Sequence, residues 1–205
     1  MNILVCGGAG YIGAHMCKVL AEAGHAVSVF DNLSTGHAEA VRWGRLIQGD
    51  LLVSQDIERA FADTTYSAVM HFCARSLVGE SMARPDLYYR NNVTGTMNLL
   101  DAMVKHGVKH FIFSSSAAVY GAPQYTPIDE RHPTAPINPY GHTKLMAETI
   151  LSDYDKAFGI KSVSLRYFNA AGADPDGSLG EDHEPETHLI PNILRSVVAG
   201  STQAL

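Results

Sequence analysis

Residues 3–13 read Ile-Leu-Val-Cys-Gly-Gly-Ala-Gly-Tyr-Ile-Gly, an apolar run followed by glycines in the spacing Gly-x-x-Gly-x-x-Gly. The apolar run predicts a buried strand, and a helix-period segment follows it. Gly7 permits a tight turn, Gly10 lets backbone approach a pyrophosphate, and Gly13 lets the helix pack on the sheet. Because helix N-termini bind phosphate, this stretch predicts the start of a dinucleotide-binding unit.

The same alternation of strand and helix patterns continues along the chain. Further apolar runs predict strands at residues 26–30, 45–48, 68–73, 110–114 and 161–166. Helix-period segments lie at residues 11–23, 54–62, 85–106 and 139–158. This alternation predicts an α/β fold with a doubly wound, Rossmann-like parallel sheet. The runs are continuous rather than alternating, as expected for strands buried on both faces.

The C-terminal part has a different composition. Residues 172–187 are rich in Gly, Asp, Pro and Glu and predict an irregular loop, and residues 189–198 predict a helix. We expect a cofactor domain over residues 1–168 and the beginning of a substrate-binding region over residues 169–205. Little sequence follows to cover the crevice at the ends of the strands, so the substrate domain is expected to be mostly absent.

The bulk composition excludes several classes of protein. The 205 residues, 46% hydrophobic and 18% charged, are enough for one well-buried α/β domain. A net charge of −6 without a Lys/Arg run argues against binding to nucleic acid or anionic membranes. No long apolar segment predicts a membrane span or a secretion signal. The odd number of cysteines, at Cys6, Cys17 and Cys73, predicts reduced thiols and a cytoplasmic location.

Tyr140 and Lys144 are the strongest candidates for chemistry. Four residues apart on a helix, they share one face, and the ammonium is expected to lower the tyrosine pKa from its ordinary ~10. Ser116, the last of three consecutive serines, could hydrogen-bond the substrate oxygen whose proton Tyr140 takes. The pair alone could be a solvated helix face. The order of strand, glycines, serines and Tyr-x-x-x-Lys favours a catalytic set.

Two acidic residues follow predicted strands. Asp31 lies 18 residues after Gly13, where a carboxylate accepts from ribose hydroxyls and repels a 2′-phosphate, which favours NAD over NADP. The alternative is a turn residue in Asp-Asn-Leu-Ser-Thr-Gly. Asp50 could bond the adenine amino group or cap the next helix.

These motifs resemble the extended short-chain dehydrogenase/reductase superfamily and, within it, the UDP-glucose 4-epimerase family, over essentially all 205 residues. The more specific matches are Phe-Ser-Ser-Ser-Ala-Ala-Val-Tyr-Gly at residues 113–121, Tyr-Gly-x-x-Lys at 140–144 and Leu-Arg-Tyr-Phe-Asn at 165–169. Related dehydratases usually carry Asp-Glu where this chain has Ala117 and Ala118. Ser76 stands where the family often has a lysine that touches the cofactor.

The resemblance implies NAD-dependent 4-epimerisation of a UDP-sugar, by transient oxidation at C4′ and with a homodimer formed through residues 85–106 and 139–158. It implies that Ser116 orients the 4′-hydroxyl, Tyr140 is the acid/base, and Lys144 holds the nicotinamide ribose. With the glycines and acidic residues above, the candidate cofactor residues are Gly7, Gly10, Tyr11, Ile12, Gly13, Asp31, Asn32, Ser34, Asp50, Leu51, Phe72, Ala74, Ser76, Asn91, Tyr140, Lys144 and Phe168. The candidate substrate residues are Ser116, Tyr140, Asn169 and Leu189.

Other interpretations stay open at this point. A sugar-nucleotide oxidoreductase or decarboxylase would release NADH, and a non-catalytic NAD-binding module would need none of the catalytic side chains. The stretch Glu-Asp-His-Glu-x-Glu-x-His at residues 181–188 could resemble a metal cluster. Because it lacks fixed ligand spacing, we interpret it as a solvated acidic loop and expect no metal.

Overall fold

The computed structural model describes residues 1–184 and 186–200. Six strands form one sheet in the order β3-β2-β1-β4-β5-β6, and every neighbouring pair is parallel. The strands are β1 Asn2–Cys6, β2 Ala26–Asp31, β3 Arg45–Gln48, β4 Ala68–His71, β5 His110–Ser114 and β6 Lys161–Leu165. The doubly wound, Rossmann-like fold is therefore confirmed. Its strand order changes direction between β1 and β4, where such sheets open a ligand crevice at the carboxyl ends of the strands.

Helices cover both faces of this sheet. They are α1 Tyr11–Glu22, α2 Ser54–Ala62, α3 Val78–Ala83, α4 Pro85–Tyr88, α5 Gly95–Lys105, α6 Pro139–Phe158 and α7 Leu189–Val198. A π-helical turn, Tyr89–Thr94, joins α4 to α5, so the helix expected over residues 85–106 is present with altered pitch at its centre. The sequence patterns did not predict α3, a six-residue helix that ends at Ala83, two residues before Pro85.

The two faces of β1 explain why its sequence is apolar throughout. Leu4 and Cys6 belong to a core shared with α2, α5 and α6, whereas Ile3 and Val5 belong to a second core beneath α1. All four side chains are at most 4% exposed. Burial on both faces removes the polar alternate positions that a one-sided sheet would have, as the continuous apolar run predicted.

The predicted strand at residues 68–73 ends earlier than expected, at His71. Phe72 still donates its N–H to the Cys6 carbonyl oxygen at 2.8 Å, but the chain then bends towards the turn that follows β1. The chain after β4 therefore lies against the glycine turn, residues 7–10, rather than extending the sheet.

The loop after β6 is irregular, as expected, and it is fixed to α1. The hydroxyl of Tyr11 donates to the Gly172 carbonyl oxygen at 2.6 Å. The buried ammonium of Lys18 contacts Asp174 at 2.7 Å and Asp176 at 2.6 Å. These contacts place the loop over the beginning of α1, beside the crevice.

No helix in residues 1–184 and 186–200 combines the length and apolar character needed to span a bilayer. The three cysteines are unpaired; Cys6 and Cys17 are buried and Cys73 is partly buried.

Candidate active site

The glycine turn brings three parts of the chain into close contact. Gly7 has a φ of +81°, and a Cβ there would lie 2.7 Å from the Cys73 nitrogen and the Phe72 carbonyl carbon. A Cβ on Gly13 would overlap the Gly7 carbonyl oxygen. A side chain at Gly7 would push the turn away from the chain after β4, and one at Gly13 would separate α1 from the turn. At Gly10 a Cβ would meet only the Gly7 oxygen, at 3.5 Å, so that backbone stays open to the crevice.

The N-terminus of α1 is arranged to receive an anion. Gly10 is its N-cap and supplies no side-chain acceptor, and the first turn holds no acidic residue. N–H groups at the start of a helix point out of the helix without an intrahelical partner and carry a partial positive charge. A dinucleotide pyrophosphate fits this end of the helix chemically.

Asp31 supports the turn beside this helix. One carboxylate oxygen accepts the Ala9 N–H at 3.0 Å and the other accepts the Leu33 N–H at 2.9 Å, and the residue is 7% exposed. The turn interpretation is thus part of the structure. An ionised carboxylate has about four acceptor positions, so these two bonds leave capacity for ribose hydroxyls.

The alternative role of Asp50 as a helix cap is wrong. Helix α2 begins after Val53 and has no side-chain cap. Asp50 instead accepts the Leu52 N–H at 2.8 Å and the Asn32 amide at 2.9 Å. Its carboxylate therefore stabilises the ends of β2 and β3 together, and its adenine role stays a prediction.

Tyr140 and Lys144 are held at the start of α6. The side chain of Asn138 accepts the Gly141 N–H at 2.8 Å and Pro139 opens the helix, so the N-terminal turn is fixed. The Lys144 ammonium donates to the Ser114 carbonyl oxygen at 2.6 Å, and the residue is 3% exposed. This bond ties α6 to the carboxyl end of β5.

Ser116 lies two residues beyond β5. Its Oγ accepts the Ala118 N–H at 3.1 Å, which caps the short 3₁₀ helix Ala117–Val119. Ser116, Tyr140 and Lys144 all line the same cleft. The three predicted catalytic side chains therefore converge at one edge of the sheet.

The expected lowering of the Tyr140 pKa is wrong. Burial raises the pKa of Tyr140, and the hydrogen bond with Ser116 offsets this only in part. Burial also lowers the pKa of Lys144 to about 7, so the expected ammonium is itself destabilised. The Lys144 nitrogen lies 5.7 Å from the centre of the Tyr140 ring, and it donates to the Ser114 carbonyl. Desolvation exceeds the charge effect that the sequence pattern suggested.

These side chains line one open cleft of about 340 Å³ at the crevice between β1 and β4. The candidate residues that it brings together are Gly7, Gly10, Tyr11, Ile12, Gly13, Phe72, Ala74, Ser76, Ser116, Tyr140, Lys144, Phe168 and Asn169. The candidates that do not line it are Asp31, Asn32, Ser34, Asp50, Leu51, Asn91 and Leu189. Asp31, Asn32 and Asp50 lie instead in the hydrogen-bonded turns after β2 and β3.

For two candidates outside the cleft, Asn91 and Leu189, an adjacent residue makes the contacts that shape the site. Asn91 donates to the side chain of Asn92, which bonds both the backbone of Arg75 and the hydroxyl of Thr143. Asn92 thus links the chain after β4 to α6. Leu189 is 66% exposed, and the preceding residue, His188, faces the cleft.

Other cleft residues had no assigned role in the sequence. The Ser114 carbonyl holds Lys144, and the Ser114 hydroxyl bonds the hydroxyl of Tyr167. Both residues lie inside motifs that were already visible, so their proximity to the site was implied but their contacts were not. Glu181 and His183 also line the cleft, although they come from the loop expected to be solvated.

The interpretation of residues 181–188 as a solvated acidic loop holds for Asp182 and Glu184, which are exposed, but is wrong for Glu181 and Glu186. The side chain of Glu186 is 1% exposed and that of Glu181 is 10% exposed. Both carboxylates face His183 and His188. The loop folds back on itself, so residues without fixed helical spacing still meet.

The fold, the open helix terminus, the half-buried Tyr140 and the buried Lys144 define a Rossmann-fold protein with a dinucleotide-type cleft. The chain belongs to the NAD dependent epimerase/dehydratase family, whose sequence profile matches residues 3–205.

Its relatives share sequence and structure over nearly the whole chain. It is 54% identical over 201 residues to UDP-glucose 4-epimerase of Lactobacillus helveticus, covering 98% of this chain and 61% of the relative. It superposes on UDP-glucose 4-epimerase from Brucella ovis in complex with NAD with a TM-score of 0.95 and 52% identity, covering 97% of this chain and 61% of that one. For UDP-glucose 4-epimerase from Bifidobacterium longum in complex with NAD+ and UDP, the TM-score is 0.94, the identity 38%, and the coverage 99% and 64%. The chain thus spans about three fifths of the length of these relatives.

The burial of Lys144 predicts a pH-dependent stability. Its folded pKa of about 7 lies below its ordinary 10.5, so between these values the unfolded state binds a proton that the folded state does not. Stability should therefore rise with pH over this window, by at most about 1.4 kcal/mol per pH unit. Replacement of Lys144 by methionine should abolish this rise. The Tm of the variant relative to wild type should therefore be highest near about pH 6, and the difference should fall towards about pH 9.5 as the wild type becomes more stable. Thermal unfolding of both proteins across this range measures the effect.

The matched control is Lys156→Met, which removes an exposed lysine from the same helix and should follow the wild-type curve. Parallel curves for wild type and Lys144→Met would contradict the assigned burial of the ammonium.

Proposed function

We propose that this chain holds NAD in the cleft between the glycine turn and α6, and that the complete protein interconverts UDP-glucose and UDP-galactose by epimerisation at C4′. The observation that carries the proposal is the convergence of Ser116, Tyr140 and Lys144 opposite the open N-terminus of α1. The similarity to UDP-glucose 4-epimerases, one of them in complex with NAD, supports it.

The side chains divide the proton chemistry between them. Tyr140 accepts the 4′-hydroxyl proton and later returns it, and Ser116 orients that hydroxyl. NAD, when bound, would supply the ring that accepts the hydride from C4′ of the sugar, and a positive charge beside the phenol. Lys144 is expected to contact the nicotinamide ribose through the same nitrogen that now donates to Ser114. The sugar must turn over before the hydride returns to its other face, so both faces have to be presented to the same site.

The raised pKa of Tyr140 and the lowered pKa of Lys144 fit a site completed by a ligand. A buried phenol is a poor base until positive charge is placed near it, and Lys144 gains a proton more readily when anionic groups enter the cleft. Proton transfer is thus coupled to cofactor occupancy.

The remaining assignments follow from the same proposal. The cofactor domain is proposed to comprise residues 1–168, and residues 169–205 are proposed to begin the substrate region, with Asn169 and Leu189 towards the UDP-sugar. Ala117 and Ala118 carry no acid or base, which opposes a dehydratase reaction at the neighbouring sugar carbons. A cytoplasmic location is proposed with these, supported by the three unpaired cysteines.

The carboxylate of Asp31 predicts that NAD binds more tightly than NADP. Replacement by asparagine keeps one of the two acceptor oxygens that hold the turn and removes the charge that repels a 2′-phosphate. The ratio of the two affinities should therefore fall by about tenfold or more, that is by ~1.4 kcal/mol. Calorimetric titration of both cofactors into both proteins gives the ratio. Asp63→Asn, an exposed substitution, is the control. Equal or tighter binding of NADP by the wild type would refute the assignment of Asp31.

Tyr140→Phe in the complete protein should retain NAD and lose epimerisation by about 10²–10⁴-fold, because the ring still packs but no proton can be transferred. The assay follows conversion of UDP-galactose to UDP-glucose, with NAD content measured in parallel. Tyr154→Phe, farther along α6 where the hydroxyl bonds Asp101, is the matched control and should stay active. Near-normal turnover in Tyr140→Phe would remove it from the mechanism.

We propose that the protein forms a homodimer through residues 85–106 and 139–158. Helices α5 and α6 keep apolar side chains at the surface, including Met97 at 40% and Met146 at 45% exposure. Pairing these helices with their copies would bury this surface in a four-helix arrangement. Sedimentation velocity should show a dimer for the wild type and a monomer for the double variant Met97→Asp, Met146→Asp. A monomeric wild type at micromolar concentration would be the opposite result.

A further inference from the structure

Four potential metal ligands meet in the loop between β6 and α7. They are Glu181, His183, Glu186 and His188, and one ligand atom from each lies within 4.8 Å of the others. None of the four has a role in the proton and hydride chemistry proposed above. They form a compact group at the wall of the cleft.

Short nitrogen–oxygen contacts link the four side chains of this His₂Glu₂ cluster. Nδ1 of His188 lies 3.0 Å from Oε1 of both Glu181 and Glu186. Nδ1 of His183 lies 3.5 Å from Glu181 Oε1 and 3.8 Å from Glu186 Oε2. Ligand atoms about 2.1 Å from a tetrahedral Zn²⁺ are separated by about 3.4 Å from one another. The four contacts, 3.0 to 3.8 Å, lie near that value but involve both oxygens of Glu186. With one ligand atom from each residue the separations extend up to 4.8 Å, so the side chains have to draw together around an ion.

In the described residues, the two carboxylates of this cluster have no lysine or arginine partner. Their side chains are 1% exposed for Glu186 and 10% exposed for Glu181. Among residues 1–184 and 186–200, no lysine or arginine forms an ion pair with either of them. Two neighbouring buried carboxylates need compensation, either from protonated histidines or from a bound cation.

Unsatisfied atoms in the cluster point to a bound cation. Oε1 of Glu186 accepts the N–H groups of Thr187 and His188, both at 2.8 Å, and this fixes the carboxylate. Its other oxygen, Oε2, is buried and has no hydrogen-bond partner in the described part of the chain, and the same is true of His183 Nδ1. These two atoms face each other across the cluster. Buried polar atoms without partners are rare in proteins, whereas metal ligands need free lone pairs.

We propose that Glu181, His183, Glu186 and His188 form a Zn²⁺ site. Two imidazole nitrogens and two carboxylate oxygens make a four-donor set suited to tetrahedral zinc, whereas Ca²⁺ and Mg²⁺ prefer oxygen ligands alone. The two carboxylates balance the charge of the ion. Because Glu181, His183 and His188 also line the cleft, the ion ties the β6–α7 loop into the cleft wall. This proposal replaces the expectation of a segment without metal, and it does not depend on the proposed epimerase activity.

The test uses the protein without an affinity tag, stripped of metal with a chelator and then titrated with Zn²⁺ in competition with a chromogenic chelator. One equivalent should bind with micromolar or stronger affinity. Glu186→Gln and His183→Gln should each weaken binding on the order of tenfold or more. The control is Glu184→Gln, whose side chain is exposed in the same loop and which should bind as the wild type does. Absence of a stoichiometric site, or equal affinity in all four proteins, would overturn the proposal.

X-ray absorption at the zinc edge of the wild type tests the same site without any substitution. The expected first shell is four nitrogen or oxygen atoms at about 2.0–2.1 Å, with the outer scattering of two imidazoles. Sulfur scattering would place the ion on a cysteine, and a shell without imidazole would place it elsewhere; either result would reject the site. Since NAD is omitted from both experiments, a negative result leaves the dinucleotide proposal standing.

Discussion

A buried hydrogen bond, from the ammonium of Lys144 to the Ser114 carbonyl, is the first of several contacts that fix the helix carrying Tyr140. It holds the first turns of α6 against the end of β5, and Tyr140 lies one turn earlier on the same helix face. Glu148, one turn later, accepts from Ser115 at 2.5 Å and pairs with Arg166 at 2.5 Å. Successive turns of α6 thus contact the serine run at residues 114–116 and Arg166, which follows β6. The position of the tyrosine depends on how this helix docks.

This anchoring has an energetic cost, because a buried lysine loses the solvation of its charge. Desolvation at the same site raises the pKa of Tyr140. On the opposite wall of the cleft, the first N–H groups of α1 face the crevice and have no side-chain cap. Both walls are therefore electrostatically prepared for a ligand with phosphate groups and a cationic ring. The loop after β6 is held against α1 by Lys18 and Tyr11.

The sequence was sufficient for the architecture and for most of the cleft. The strands were visible because both of their faces are buried, and the glycine turn because Gly7 and Gly13 leave no room for a Cβ. The π-helical turn Tyr89–Thr94 was not visible, because its pitch depends on packing rather than on local propensity. The pKa of Tyr140 was misjudged for a similar reason, since helical spacing reports proximity to Lys144 but not desolvation. The residues around Glu186 were visible as a motif but were interpreted as solvated, because their side chains meet only through the course of a loop.

The dinucleotide cleft itself can be tested by NMR with the isotope-labelled chain. Addition of NAD should shift the backbone amide signals of Tyr11, Ile12 and Gly13 and the side-chain nitrogen of Lys144, all with one common saturation curve. Such a result would place one ligand against both the helix terminus and the buried lysine. Saturable shifts confined to other surfaces, or no saturable shifts in these four residues, would contradict the proposed cleft and the chemistry built on it.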